Sequence, residues 1–260
     1  MNKTKIEYLN YTWNPLAMRC TPISDGCRNC WHLAMAKRLA KNATIKEMAR
    51  VAYGGGPPVL NMEELEAPLH LRKPAIIGLQ FMGDLFHENV PFEFQTEILD
   101  VMAACQDHTF FILTKRPSKA LEIGTFWDGA ELPEGRTWPL HNVWLGVSVE
   151  NQITADERIP ILLQIPAAKR FVSVEPMLGA VILQQDWKLT DMGKDYLIAP
   201  GKRCLAWVIC GGLSLPGGKI QAPKKEWVDS LIEQCDATGI PIFIKPNAKY
   251  PIERKEFPHG

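Results

Sequence analysis

Three cysteines, Cys20, Cys27 and Cys30, fall within one short stretch in the order Cys-x6-Cys-x2-Cys. Thiolates are soft ligands, so this spacing points to zinc or to an iron–sulfur cluster. Pro22 and Gly26 permit the turns that bring the sulfurs together. A structural zinc site usually takes four protein ligands, and His32 is the nearest candidate for the fourth. A four-iron cluster (4Fe-4S) held by three cysteines instead leaves one iron open to a small molecule. Three ordinary buried thiols is the bland alternative. Of the other cysteines, Cys105, Cys210 and Cys235 lie on apolar runs and read as small core hydrophobes.

Further chemistry-bearing residues recur at the ends of short apolar runs. Met82-Gly83-Asp84 follows Ala75 to Phe81, and Thr114-Lys115-Arg116 follows Thr109 to Leu113. Ser148, Glu150 and Asn151 follow Asn142 to Val147, and Glu175-Pro176 follows Arg170 to Val174. Gly211-Gly212 follows Ala206 to Cys210, and Lys245 follows Ile240 to Ile244. Two cations at Lys115 and Arg116 suit a carboxylate or phosphate. Glu175 needs a partner if buried, and Lys115 or Arg116 is the expected one. Gly211 and Gly212 permit close backbone approach to a ligand. Asn151 also suits a helix N-cap.

Helical patterns separate these runs. They are expected over His32 to Lys41, Glu93 to Cys105, from Pro117, over Ala155 to Leu163 with an interruption at Pro160, and over Lys224 to Cys235. A first strand is expected near Ile6 to Thr12. Strands alternating with helices imply parallel βαβ units, about seven strands in all. Polar tips after nearly every strand favour an α/β fold of the full or partial (β/α) barrel type over a doubly wound sheet, which concentrates its site at one switch point. The expectation is a single barrel domain over 1–260, with loop insertions near 54–73 and 178–203.

Bulk composition narrows the classes. Lys plus Arg and Asp plus Glu both number 29, so net charge lends no support to non-specific nucleic-acid binding. Hydrophobic residues make up 46%, enough for a full core. No apolar run is long enough to span a membrane, and the N-terminal stretch lacks the apolar segment of a leader. An odd count of 7 cysteines fits a reducing, cytoplasmic compartment.

The stretch Thr12-Trp13-Asn14-Pro15, then Cys20, then Gly26-Cys27-Arg28-Asn29-Cys30, resembles the opening of a phage- and prokaryote-associated family of radical S-adenosylmethionine type. Asp84-Leu85-Phe86-His87, Leu113 to Pro117, Val143 to Asn151 and Phe171 to Pro176 continue the resemblance, which runs from about Tyr11 to Lys245. The first cysteine gap is longer than the superfamily's usual one. Asn29 stands where an aromatic residue is usual, and Trp31 follows instead.

The resemblance implies a 4Fe-4S cluster on Cys20, Cys27 and Cys30 whose open iron binds S-adenosylmethionine. Reductive cleavage would then give a 5′-deoxyadenosyl radical. It implies a reductant protein such as flavodoxin or ferredoxin, and a substrate of unstated class, with nucleotide or nucleic-acid modification or repair suggested. Asp84 would meet the cofactor's ammonium, Ser148 and Glu150 its ribose, and Trp31 its adenine. Glu175, Gly211 and Gly212 would complete the cofactor site, while Lys115, Arg116 and Lys245 would hold substrate. His87 is a candidate acid or base. The rival expectation is a zinc-stabilised, non-catalytic binding protein with a Cys3His site and nucleic acid as its candidate ligand.

Overall fold

A computed structural model describes residues 1–128, 131–132, 135–183 and 205–258. Apolar runs become the strands of one eight-stranded sheet: β1 (Asn2–Lys3), β2 (Tyr11–Trp13), β3 (Ile76–Leu79), β4 (Thr109–Thr114), β5 (Val143–Val149), β6 (Lys169–Val174), β7 (Leu205–Cys210) and β8 (Ile242–Ile244). Strands neighbour one another in chain order. β1 is antiparallel to β2, and every later pairing is parallel. Among the described residues the order never reverses and so has no switch point, no backbone pairing joins β8 to the first strands, and the sheet is open.

The helices are α1 (Trp31–Leu39), α2 (Glu47–Gly54), α3 (Met62–Leu65), α4 (Phe92–Ala104), α5 (Pro117–Trp127), α6 (Gln152–Leu162) and α7 (Lys225–Thr238). Side chains alternate across each strand. One set, including Phe110, Ile112, Val147, Val172 and Val208, packs in the large core with helix residues such as Ile98, Ile159 and Leu231. The other set, Phe111, Phe171, Trp207 and Phe243, forms a second core with Tyr8 and Leu9.

That second core requires strong curvature. Phe111 on β4 and Trp207 on β7 are three strand steps apart, about 14 Å in a flat sheet. Their ring centroids lie 5.6 Å apart. Tyr8, just before β2, meets Phe243 of the last strand at 5.5 Å. Side chains thus bridge the gap that the backbone leaves. The C-terminal segment covers the free edge of β8: Ile244 N–H donates to Arg254 O, Glu256 N–H donates to Ile242 O, and Phe257 stacks on Trp207. Covering an exposed edge in this way protects it from pairing with another chain.

Several expectations change. Residues near Ile6 to Thr12 supply only the end of a strand, because Tyr8 and Leu9 turn inward to the aromatic core. α6 runs through Pro160 without a break. The carbonyl that loses its bond belongs to Asp156, an exposed residue that water can serve. The 54–73 region is not simply a loop, since Val59–Leu60 pairs with Leu16–Ala17 and α3 follows with Leu65 buried. Of the 178–203 region, 184–203 lies outside the described residues, as does Cys204. Among the described residues no helix is long and apolar enough to cross a membrane.

Candidate metal and ligand site at the strand tips

The first residue beyond each parallel strand points to the same end of the sheet. These are Asn14, Gln80, Lys115, Glu150, Glu175, Gly211 and Lys245. Strand register aligns them, because Val149 pairs with Val174, Val174 with Cys210, and Cys210 with Ile244. Below the tips on the same face lie Ser148 and Ser173, and beneath those the aromatic core.

The cysteine loop leaves β2 through a fixed root. Asn14 Oδ1 accepts the Met82 amide at 2.8 Å. Gln80, buried and at φ 52°, accepts from Leu16 N and donates to Leu16 O. Met18 is buried beside Gly83, where a Cβ would stand 2.7 Å from its sulfur. Sequence reasoning missed Gln80, although a polar residue closing an apolar run was the available signal.

Beyond that root, Asp25–Cys27 forms a single 3-10 turn, and Cys30 immediately precedes α1. The turn rests on Glu150. Ser24 Oγ donates to Glu150 Oε1 at 2.7 Å, and a Cβ on Gly26 would lie 2.7 Å from that same oxygen. Lys115 Nζ pairs with Glu150 Oε1 and reaches Cys27 Sγ at 3.8 Å. Arg116 Nη1 reaches Cys20 Sγ at 3.6 Å, and Nη2 donates to Thr21 O and Oγ1. Consecutive cations therefore face two different thiols.

Electrostatics separate those thiols. At Cys27 burial works upward, but backbone hydrogen bonding at Ile23 and the Lys115 charge outweigh it, and the thiol sits below its ordinary value. Burial pushes Cys20 up to about 11 despite the Arg116 charge. All three cysteines are free. Among the described residues no three His, Cys, Asp or Glu side chains stand close enough together to hold a metal ion. The donor set nonetheless suits a soft metal: three free thiols on one loop, with a cation beside each of two.

His32 is buried, and burial lowers it to about 4. Its Nε2 accepts the Cys20 amide at 3.4 Å, which occupies the lone pair a zinc ion would need there. His87 is also buried, and its Nε2 contacts Thr21 Oγ1 at 2.9 Å.

Glu150 is fully buried. Its backbone is pinned: its N–H donates to Thr154 Oγ1, and its carbonyl accepts the Leu178 and Gly179 amides. Asn151 caps α6 in a reciprocal box with Thr154. Arg158, buried and not anticipated, donates to Ser148 O and lies 3.7 Å from Glu150 Oε1. Glu150 Oε2 is buried with no hydrogen-bond partner.

The remaining expected residues all make contacts within the protein. Asp84 accepts from Phe86 N and Thr114 Oγ1 with one oxygen, and from Lys115 N with the other, which also faces Arg116. It ties the tips of β3 and β4 together. Lys115 and Arg116, expected to hold substrate, are engaged by protein groups instead. Glu175 pairs not with either of them but with Lys245, 2.7 Å from both oxygens, and with Asn247 Nδ2 at 3.0 Å. The Gly211 and Gly212 spaces, expected to admit a ligand, are filled by Glu175 and by the Asn247 and Gln221 carbonyls. Trp31 is 53% exposed with its edge toward His32.

The fold is therefore that of an α/β protein with a largely parallel central sheet and its polar residues gathered at the strand tips. More particularly, the chain belongs to the family described as "Protein of unknown function (DUF5131)", which matches residues 3–256. No curated protein and no solved structure matches it.

Proposed function

We propose that the protein is a radical S-adenosylmethionine enzyme built on a partial β/α barrel, with Cys20, Cys27 and Cys30 as ligands of a 4Fe-4S cluster. The observation that carries this reading is the seating of the three-thiol loop on Glu150 and Lys115, over the tips of the parallel strands. Ligand chemistry in β/α barrels is placed at that end. When bound and reduced, the cluster would supply the electron that cleaves the cofactor's sulfonium.

The chain's own residues have definable tasks in this reading. Lys115 and Arg116 lower the cost of gathering thiolates, because each places a positive charge against a sulfur. Gln80 and Asn14 hold the root of the loop. The unpartnered Oε2 of Glu150 offers a dry acceptor to a ligand hydroxyl or ammonium; an acceptor buried alone costs about 1–3 kcal/mol until something donates to it. The aromatic layer below keeps water from the floor of the site. Asp84 acts through Lys115 and Arg116 rather than on the cofactor. In the rival zinc reading His32 must give up the Cys20 amide, and that contact favours the cluster.

Anaerobic reconstitution with iron and sulfide tests the reading. The expected result is a four-iron cluster with a charge-transfer band, lost in Cys20→Ala, Cys27→Ala and Cys30→Ala, and kept in His32→Gln. Stoichiometric zinc that disappears in His32→Gln would instead establish the Cys3His site.

A further inference from the structure

A cavity of about 290 Å³ opens between the cysteine loop and the turn that follows α2. Cys20 and Pro22 of the loop and Gly56 and Pro58 after α2 line it, together with Leu33 and Asn89. None of the tip residues Lys115, Glu150, Glu175 or Lys245 belongs to it. Its volume is close to the lower bound of small-molecule sites, about 300 Å³. Pro22, Leu33 and Pro58 give apolar walls suited to a flat ring, while the exposed Asn89 gives a hydrogen-bonding group.

Charge decides the ligand class. Arg19 lines the cavity, and among the described residues its one hydrogen bond is a long contact to the Gly54 carbonyl at 3.4 Å. Among the described residues no carboxylate pairs with it. The surrounding segment, Arg19 to Arg50, holds seven Lys and Arg against two acids, while the rest of the chain is net acidic. Lys37, Arg38, Lys41 and Lys46 in this segment are exposed. Trp31, also exposed, stands on the same helix as Lys37 and Arg38. A ring-sized apolar slot with an unpaired guanidinium and a basic surround fits a ligand with a planar body and a phosphate.

We propose that this cavity binds a nucleotide, its base between Leu33 and Pro58 and its phosphate at Arg19. The cavity shares Cys20 with the proposed cluster site but includes none of the strand-tip residues, and its ligand contacts need no metal, so binding is read in the iron-free full-length chain. A free nucleotide and one unit of a single strand share this chemistry. The arms of the test are therefore AMP, adenosine, inorganic phosphate, a short single-stranded oligonucleotide and polyglutamate, with affinity read by calorimetry or anisotropy.

The expected result is binding of AMP or of the oligonucleotide, with adenosine and polyglutamate weaker. Arg19→Glu and Asn89→Trp replace exposed residues and leave the core intact; each should weaken binding by about tenfold, the loss of one charge-assisted contact or of access. Bound ligand should also slow maleimide labelling of Cys20 relative to Cys30. Preference for the oligonucleotide over AMP would assign the site to a strand, and the reverse to a free nucleotide. Equal binding of adenosine or polyglutamate, insensitivity to both substitutions, unchanged Cys20 labelling, or no binding in any arm overturns the proposal.

Discussion

Ser24 Oγ donates to Glu150 Oε1 at 2.7 Å, across 126 residues of chain, and thereby seats the cysteine turn on the tip of β5. Lys115 shares the same oxygen. Glu150→Ala removes the acceptor for both and leaves a largely buried ammonium without its counter-charge. Urea denaturation should show a loss of about 2–4 kcal/mol, since breaking a buried pair costs more than the pair contributes. Gly26→Ala should also destabilise, because the new methyl would stand 2.7 Å from the buried Glu150 oxygen that holds Ser24 and Lys115, and it should loosen the loop and raise protease sensitivity near Cys27. Wild-type stability in Glu150→Ala would refute this anchoring.

Asp84 is assigned here to holding protein groups. Asp84→Asn turns one acceptor oxygen into a donor that faces either the Lys115 amide or the Thr114 hydroxyl. The expected cost is about 1–3 kcal/mol in the metal-free protein. A variant with unchanged stability that has lost only cofactor binding would return Asp84 to the role its position first implied.

His32 gives the metal-free protein a pH dependence with a definite sign. Burial lowers the folded-state value from 6.5 to about 4, so between those values the unfolded chain binds more protons. Stability is therefore fully present above about pH 6.5 and falls as pH drops toward 4. The loss reaches on the order of 3 kcal/mol at about 1.4 kcal/mol per unit. Thermal melts of His32→Gln should lack this slope. A slope unchanged in that variant would assign it to other groups.

Much of the fold was legible because parallel strands covered by helices read as short apolar runs, and six of the seven parallel strands lie where such runs stand. The tip residues were legible for a related reason: Glu175, Gly211 and Lys245 are each the first residue after such a run, and Lys115 and Glu150 lie within a few residues of the end of theirs. Partners were not legible. Glu175 and Lys245 are 70 residues apart, and they meet only because the sheet order places β6 and β8 on either side of β7, whose tip is Gly211. Buried polar residues such as Gln80 and Arg158 were hidden as well, because each looks like an ordinary strand end or an exposed helix position until its partners are known.

The most direct measurement is the formation of 5′-deoxyadenosine from S-adenosylmethionine by reconstituted, dithionite-reduced protein, followed by mass spectrometry. The account predicts reductant-dependent product from the wild type and from His32→Gln, and none from Cys27→Ala. A fully reconstituted protein that binds a four-iron cluster yet leaves S-adenosylmethionine intact, or one that retains only zinc, would contradict it.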